Sequence, residues 1–503
     1  MPRPYKSLEG MRMSKTRNGH IFLYGLLLAA AVLFFTTRSS PAWPINDWCD
    51  ANIYLTVGKG MTQGQVVYRD LYDHKGPLLY ALHALCALVS FDSFLGVYLM
   101  EVLLAAYFLF FGYKVMTVYG SKNAALLLLP VLAWSVYAAW SFCEGDSAEE
   151  MCMPLVAASI WHVLAFLKSG ESRMSAKGLM AEGALAGCVL WIKFTGLGMQ
   201  AGLLFAVLLR HLVKKEWKDG LRMIGWLVVG FILSTVPWIV YFGLNGAIGD
   251  WLGVYFYDNL FRYGGASMTL LQRIKAMVLN GLGWLWKNWP YTIAILGGMV
   301  WFILRRTVWE WIALVLAAAF GAALVFFSGV EYPYYGQALA PLAIAGFAAL
   351  ASVIRRPVKK RWMAAVCAVC IALCPLTCYN WNVDFGCTFL QPKEETMQYQ
   401  LAKVINETPN ATLLNYGFMD AGFFTAAGIA PSVKFFHSSN VDMQEKREEQ
   451  LRYIREGLVD YVVVRSTGMK ELEENYELVA QAQSPNFWYE TVFLYRILNA
   501  SKR

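Results

Sequence analysis

Charge is what this chain has least of. Asp, Glu, Lys and Arg make up only 16% of its 503 residues, against about 25% in a soluble domain. That excludes an ordinary soluble enzyme, and with 57% hydrophobic residues it also excludes a disordered, collagenous or coiled-coil chain. Ten cysteines over this length are too dilute for a disulfide-stapled scaffold. The chain has no Walker-type phosphate loop and no His-Glu-x-x-His, and no two of its six histidines fall within one helical turn. The motif-borne chemistry of P-loop NTPases and zinc proteases is thereby removed. The basic residues form no stripe but stand in short loops between apolar runs, which argues against a nucleic-acid partner.

What is present is apolar and aromatic. Phe, Trp and Tyr together reach 15%, the loading of a membrane protein whose aromatic rings anchor at both interfaces. Apolar runs lie at 21–37, 77–91, 94–116, 123–140, 150–167, 179–192, 195–212, 223–243, 289–304, 308–327, 335–354 and 362–379. Five connecting loops are basic: Lys114 with Lys122; Lys168, Arg173 and Lys177; Lys214, Lys215, Lys218 and Arg222; Arg305 and Arg306; and Arg355 through Arg361. Lys and Arg in short loops mark the cytoplasmic side. The N-terminus, with Arg3, Lys6, Arg12, Lys15 and Arg17, belongs to that side too, whereas the loop 141–150 holds four acids and no base and faces outward. All assignments agree if eleven runs cross and 77–91 does not. A helix of that length reaches only about 22 Å, against a hydrocarbon core of about 30 Å.

Charge is also uneven along the chain. Residues 380–503 hold 12 Lys/Arg and 16 Asp/Glu, so the tail is −4 and the part before it +12. The expected architecture is mainly α. A basic cytoplasmic segment 1–20 leads into a polytopic helical bundle of about eleven crossings over 21–379, with membrane lipid as solvent and partner. A small soluble α/β domain, 380–503, follows outside the cytoplasm. Within it, 411–418, 458–464 and 487–498 read as strands, and 394–407, 441–456 and 468–482 as helices. It has no Gly-rich nucleotide loop, so a lid or an acceptor platform is expected of it.

The chemistry concentrates in the first outer loop, 38–76. Ile53, Val57 and Met61 recur every four positions, the spacing of a short amphipathic helix lying on the membrane surface. Asp50 starts that helix, where it serves as an N-cap, as a reactive carboxylate, or as both. Further on come Tyr68-Arg69-Asp70 and then Asp73-His74-Lys75-Gly76-Pro77, which opens the next apolar run. Such a cluster is either interfacial solvation or a site that binds phosphate and positions a hydroxyl, Lys acting as a point charge. Lys193 stands at the outward bend of the hairpin 178–212, as a snorkelling cation or one awaiting an anion. The segment 244–288, with Asp250, Asp258, Asn259, Arg262 and Tyr263, has the aromatic content to lie along the interface and close over a site. The tyrosines of 331–337 read first as aromatic-belt anchors and second as ligands.

The order of an Asp in the first outer loop, a Gly-x-x-x-Tyr-Arg-Asp step (Gly64 to Asp70) and an Asp-His-Lys-Gly-Pro entry to the next run resembles the C-type membrane glycosyltransferases. The nearest resemblance is to the bacterial relatives of protein O-mannosyltransferases and to lipid A aminoarabinose transferases, over roughly residues 20–380. It implies a bundle of eleven to thirteen helices, a sugar donor carried on polyprenyl phosphate, and inverting transfer to a cell-envelope glycan, lipid or protein. It also implies a first-loop carboxylate, here Asp50, as base or metal ligand, and a second acidic position. Ala148-Glu149-Glu150-Met151 occupies that second place with departures at both flanks, which leaves open whether Glu149 or Glu150 is the functional one. The chemistry then assigns Lys75, Lys193 and Arg262, in falling order, to the departing phosphate, with His74 orienting either group. Arg69, Asp70, Asp73 and Tyr335 are the expected substrate contacts. A divalent cation between Asp50 and Glu149 is the one cofactor envisaged, since hard cations prefer carboxylate oxygens. The competing reading is a transporter or flippase of lipid-linked sugars. Transporters place their charges near the bilayer midplane, often in inverted repeats, whereas here the charges cluster in outer loops and no repeat is visible.

Overall fold

A computed structural model describes residues 15–263, 268–327, 329, 332–381, 385–441, 443–483 and 491–498. The chain is mainly helical with one small sheet near the C-terminus. Eight helices are long and apolar enough to cross a membrane: Asn18–Thr36, Leu95–Tyr119, Ala148–Ser169, Phe194–Val213, Trp217–Leu244, Val308–Phe326, Pro333–Val353 and Lys360–Trp381. Pro77–Val89, Lys122–Tyr137 and Trp289–Arg305 are shorter apolar helices. Each expected run has its helix. The run at 77–91 is a helix of 13 residues, about 20 Å at 1.5 Å per residue. Arg3, Lys6, Arg12 and Glu331 lie outside the described residues.

The chain divides into two compact units. The first comprises Met1–Thr36, Glu101–Pro237 and Met268–Trp381. Its helices approach closely at several glycines, where no side chain intervenes. A β-carbon at Gly202 would stand 2.3 Å from the Leu316 carbonyl oxygen, and one at Gly346 would stand 2.0 Å from that of Ala294. In lipid no hydrophobic force drives helices together, so such small-residue seams supply the van der Waals contact instead. The core of this unit is lined by Leu129, Leu132, Val156, Ile160, Leu203 and Ala317, all buried.

The second unit comprises Thr37–Met100, Trp238–Ser267 and Asn382–Arg503. Here the Cys49–Thr62 helix corrects an expectation. It is not an amphipathic helix lying on a surface: Asp50 through Gly60 are all buried. The Ile53–Val57–Met61 stripe is real, but Tyr54, Thr56 and Lys59, off that stripe, are covered too. The Pro77–Val89 helix presses so near that a β-carbon at Gly58 would lie 2.5 Å from the carbonyl carbon of His83. Nor is Asp50 the N-cap. Trp48 holds that place without a side-chain cap, and Asp50 sits in the first turn, where a carboxylate meets the positive end of the helix dipole.

The sheet of this unit has the order β1-β2-β4-β3, with β1 Leu413–Asn415, β2 Tyr461–Val464, β3 Tyr476–Gln483 and β4 Thr491–Ile497. β1 runs parallel to β2 (Leu414 opposite Val462), and β4 lies antiparallel to both β2 and β3. The helices Met397–Ile405 and Gln444–Arg455 fall where expected. The expected helix at 468–482 does not form as such. Lys470–Glu473 is one helical turn, and Tyr476–Gln483 is a strand. A register shift between Leu478 and Ala480 breaks the period-two alternation of that strand, which hides it in the sequence.

Candidate active site

In the second unit the first-loop motifs converge. The Lys75 ammonium lies 3.8 Å from an Asp50 carboxylate oxygen, and both side chains are buried. The Tyr54 hydroxyl donates to the same Asp50 oxygen at 3.1 Å, one helical turn on. Lys75 Nζ is also 3.4 Å from His74 Nε2. A lysine can only donate, so Nε2 carries the lone pair and Nδ1 the proton. That Nδ1 faces Asp73 Oδ1 at 3.3 Å. Asp73 thus orients His74, and His74 steers Lys75 toward Asp50.

The electrostatics agree with this tautomer. Burial, reinforced by the charge of Lys75, lowers the His74 imidazole from its usual value against the opposing pull of Asp73 and Asp50, so the ring stays neutral near pH 7. Burial alone would raise the Asp73 carboxyl. The interaction with His74 and the fields of Lys75 and His437 outweigh it and hold the group well below the usual carboxylate range.

The backbone around the motif is fixed by tyrosines. Gly76 is the N-cap of the Pro77–Val89 helix, with Pro77 in its first turn, the position where a missing N–H costs nothing. The Tyr80 hydroxyl donates to Asp73 and accepts the Lys75 N–H at 2.9 Å. Tyr68 is held at φ 73°, an uncommon conformation costing on the order of 1 kcal/mol. Its hydroxyl donates to the Lys75 carbonyl at 2.6 Å, and its ring packs 5.6 Å from that of Phe242, which offsets the strain.

The segment Gly253–Arg262 is a π-helix, and it does reach the motif. Asn259 Nδ2 donates to the His74 carbonyl at 2.6 Å, and the Tyr263 ring lies 5.0 Å from the imidazole. Asp258 is buried, accepts the Tyr72 hydroxyl at 2.9 Å and pairs with Arg262 at 3.0 Å. Arg262 is itself exposed, and its guanidinium also lies 5.4 Å from the ring centroid of Tyr257. Arg69 and Asp70 pair with each other at 2.8 Å. Asp70 also accepts the Val66 N–H, and Arg69 donates to the Asn245 carbonyl. These bonds close the turn between Val66 and Leu71, and neither residue belongs to the buried cluster.

The first unit holds a second polar cluster. Glu149 and Glu150 are not loop residues but the first turn of the Ala148–Ser169 helix, whose Ser147 N-cap accepts from the Glu150 N–H at 3.0 Å. Lys193 stands at the bend where the Ala176–Ile192 helix ends, as expected, and pairs with Glu149 at 2.5 Å. Its ammonium also lies 4.2 Å from the ring centroid of Tyr335, a cation–π distance. Tyr335 is buried and is therefore no belt anchor. The other Glu149 oxygen, Oε2, is buried and has no hydrogen-bond partner among the described residues, so the cluster has acceptor capacity to spare. Glu150 turns elsewhere. The Asp146 N–H is shared between Glu150 and Glu101, each at 2.9 Å. Glu101 escaped the sequence reading although a signal existed, since it is the lone acid in the apolar run 94–116.

Thr56, Lys59, Asp420 and His437 were also missed, and no short-range pattern points to them. Among the described residues no group of three His, Cys, Asp or Glu side chains is placed to hold a metal ion.

No protein-family model and no curated protein sequence matches the chain. Solved structures do. ArnT from Cupriavidus metallidurans bound to undecaprenyl phosphate superposes with a TM-score of 0.59 at 13% identity, over 96% of this chain and 98% of that one. The same protein in the apo state gives 0.58 at 14% identity, over 95% and 98%. The Archaeoglobus fulgidus oligosaccharyltransferase in its apo form gives 0.48 at 12% identity, over 90% and 70%. At such identities the likeness is one of architecture, and over nearly its whole length the chain has the fold of ArnT.

Proposed function

We propose that this chain is an inverting membrane glycosyltransferase. It moves a sugar from a polyprenyl phosphate to a hydroxyl of a cell-envelope glycan, lipid or protein at the outer face of the membrane. The observation that carries this reading is the buried Asp50–Lys75 pair, 3.8 Å apart, in a chain with the fold of a protein solved with undecaprenyl phosphate bound. Asp50 takes the proton of the acceptor hydroxyl as its oxygen attacks the anomeric carbon. The bond from that carbon to the phosphate oxygen breaks on the opposite face, and the electron pair leaves with the polyprenyl phosphate. Lys75, aimed by His74 and Asp73, neutralises the charge growing on that phosphate. Arg262 adds a second positive charge. Phosphate departs as a stabilised anion, so no general acid is needed.

Glu149, Lys193 and Tyr335 suit the recognition of sugar hydroxyls: a buried carboxylate oxygen accepts, an ammonium donates and a ring gives a face to stack on. Glu150 supports them through the Asp146 backbone, and Arg69 and Asp70 contribute by fixing the turn before Asp73. The divalent cation that the resemblance implies finds no three-ligand group among the described residues, so no step is routed through it. Washing with a chelator tests its involvement. The basic loops support a cytoplasmic N-terminus and a C-terminal segment outside the cytoplasm. A reporter active only in the cytoplasm, fused after Arg503, is expected to stay silent.

The decisive test offers the purified full chain a panel of radiolabelled polyprenyl-phospho-sugars with envelope extracts as acceptors. Label moving to the acceptor, with release of polyprenyl phosphate, is the expected result. Intact labelled lipid crossing vesicles without cleavage would replace the transferase by a flippase.

A further inference from the structure

The helix that carries Asp50 in its first turn is gripped from its later turns. Thr56 and Lys59 stand three residues apart and so share one face, and both are fully buried. The Thr56 hydroxyl donates to Asp420 Oδ2 at 2.7 Å. Lys59 Nζ donates to the Phe424 carbonyl at 3.2 Å and to Thr425 Oγ1 at 3.3 Å, and lies 5.3 Å from the ring centroid of Phe91. Asp420, itself fully buried, also accepts from Asn415 Nδ2 and from the Gly422 N–H. Gly422 adopts φ 95°, and a β-carbon there would sit 2.8 Å from Ile45 Cδ1 and 3.1 Å from Asn52 Oδ1. The turn that follows β1 is therefore seated directly on the Asp50 helix.

The other arm of the first loop is held from the same side. The Tyr72 N–H donates to the Lys434 carbonyl at 2.9 Å, and the Tyr72 ring packs 5.3 Å from that of Phe435. This contact immediately precedes Asp73-His74-Lys75. A detachable lid would need only apolar contact. Burying a lysine and an aspartate carries a desolvation cost that mutual attraction barely recovers. What such groups supply in return is register: an apolar patch can slide, whereas a Thr–Asp hydrogen bond in a closed site cannot.

We propose that the C-terminal segment 413–437 is a positioning element of the transfer site. Thr56, Lys59 and Asp420 set the depth and rotation of the helix that presents Asp50, and Lys434 and Phe435 set the irregular segment that presents Lys75. The inference rests on the reading of Asp50 as the base. It makes the soluble segment part of the catalytic geometry, neither a lid nor an acceptor platform.

The test uses the full chain in nanodiscs, with Thr56→Val, Thr56→Ser and Asp420→Asn. Two quantities are read: steady-state kinetics with the lipid-linked sugar, and hydrogen exchange of the backbone amides at 50–60. Displacing a reacting group by about 1 Å costs up to about a hundredfold. Thr56→Val and Asp420→Asn should therefore lower kcat ten- to hundredfold at unchanged KM for the donor, with faster exchange at 50–60 and unaltered exchange in the spans. Thr56→Ser, which keeps the hydroxyl, should restore both. If Asp420→Asn fails to fold, Thr56→Val carries the decision, since it keeps the volume and removes one hydrogen bond. Wild-type kcat, or unchanged exchange at 50–60 in folded Thr56→Val, overturns the proposal. Absence of transfer by the wild type would instead sink the transferase reading, and the exchange measurement would still decide whether the grip exists.

Discussion

Replacing Asp50 by Asn tests the centre of the proposed chemistry with little change of shape. The amide keeps an oxygen that can accept from Tyr54 OH, now 3.1 Å from the carboxylate, and Trp48 is the N-cap, so the helix loses no cap. What disappears is the charge. The attraction between Asp50 and Lys75 across 3.8 Å is on the order of 4 kcal/mol at an effective dielectric of about 20. The carboxylate no longer has to be desolvated, but the buried Lys75 ammonium loses its counter-charge, so the variant should also lose about 3–5 kcal/mol of stability, and kcat is to be taken per folded, inserted enzyme. The kinetic loss is larger in its consequence. A general base contributes about 10²–10⁴-fold, or about 3–5 kcal/mol of barrier, and kcat should fall by that factor. Donor binding should move the other way or not at all, because Lys75 loses the anion that competes with the phosphate for it. Transfer of label from a polyprenyl-phospho-sugar measures both quantities. Asp47→Asn is the internal control: Asp47 pairs with Arg38 and should matter little. A kcat within about threefold of wild type for Asp50→Asn would refute the base, since no general base contributes so little. Loss of transfer in Asp47→Asn alone would put the base three residues earlier.

The neighbouring groups make separate predictions. Lys75→Met should raise KM for the lipid donor about ten- to a hundredfold, the worth of one charge-assisted contact to phosphate, and Lys75→Arg should recover part of it. Lys193→Met leaves the buried Glu149 carboxylate uncompensated and should cost about 3–5 kcal/mol, and Glu149→Gln, which strands the half-buried Lys193, should cost less. The double variant should recover most of that in thermal unfolding, and a double variant destabilised by the sum of the two single losses would show the two residues to be uncoupled. His437 supplies a pH dependence. Burial, helped by the charge of Lys446, lowers its imidazole to about 4, whereas the unfolded chain takes up that proton near 6.5. Between those values the unfolded state binds a proton that the folded state refuses. Stability is therefore lost as pH falls from about 6.5 to about 4, by about 3 kcal/mol in all. His437→Phe should flatten that part of the profile when unfolding is followed at pH 7 and pH 4.5, and an unchanged slope would assign the loss to other groups.

How much of this was legible beforehand follows from the range of the interactions. Every apolar run announced its helix, because a span is written in consecutive residues. Asp50 and the Asp73-His74-Lys75 motif were legible for the same reason, each being a local pattern. The surface helix was misread because the Ile53–Val57–Met61 stripe records only one covered face. The faces bearing Tyr54, Thr56 and Lys59 are covered by polar and tightly fitted neighbours that leave no apolar signature. The strand at Tyr476–Gln483 was lost to a single register shift. Tyr335 read first as a belt anchor and second as a ligand, because a tyrosine at a span end looks the same in sequence whether it faces headgroups or a half-buried lysine. The grip on the Asp50 helix was beyond reach for a stronger reason. Thr56 and Asp420 stand 364 residues apart, and a buried lysine is indistinguishable in sequence from a solvated one. Such pairs are made by topology, when the ArnT-like fold brings the end of the chain back to its first loop. The residues proposed for the chemistry are therefore local and readable. The residues that grip the Asp50 helix lie far apart along the chain, and only the fold brings them together.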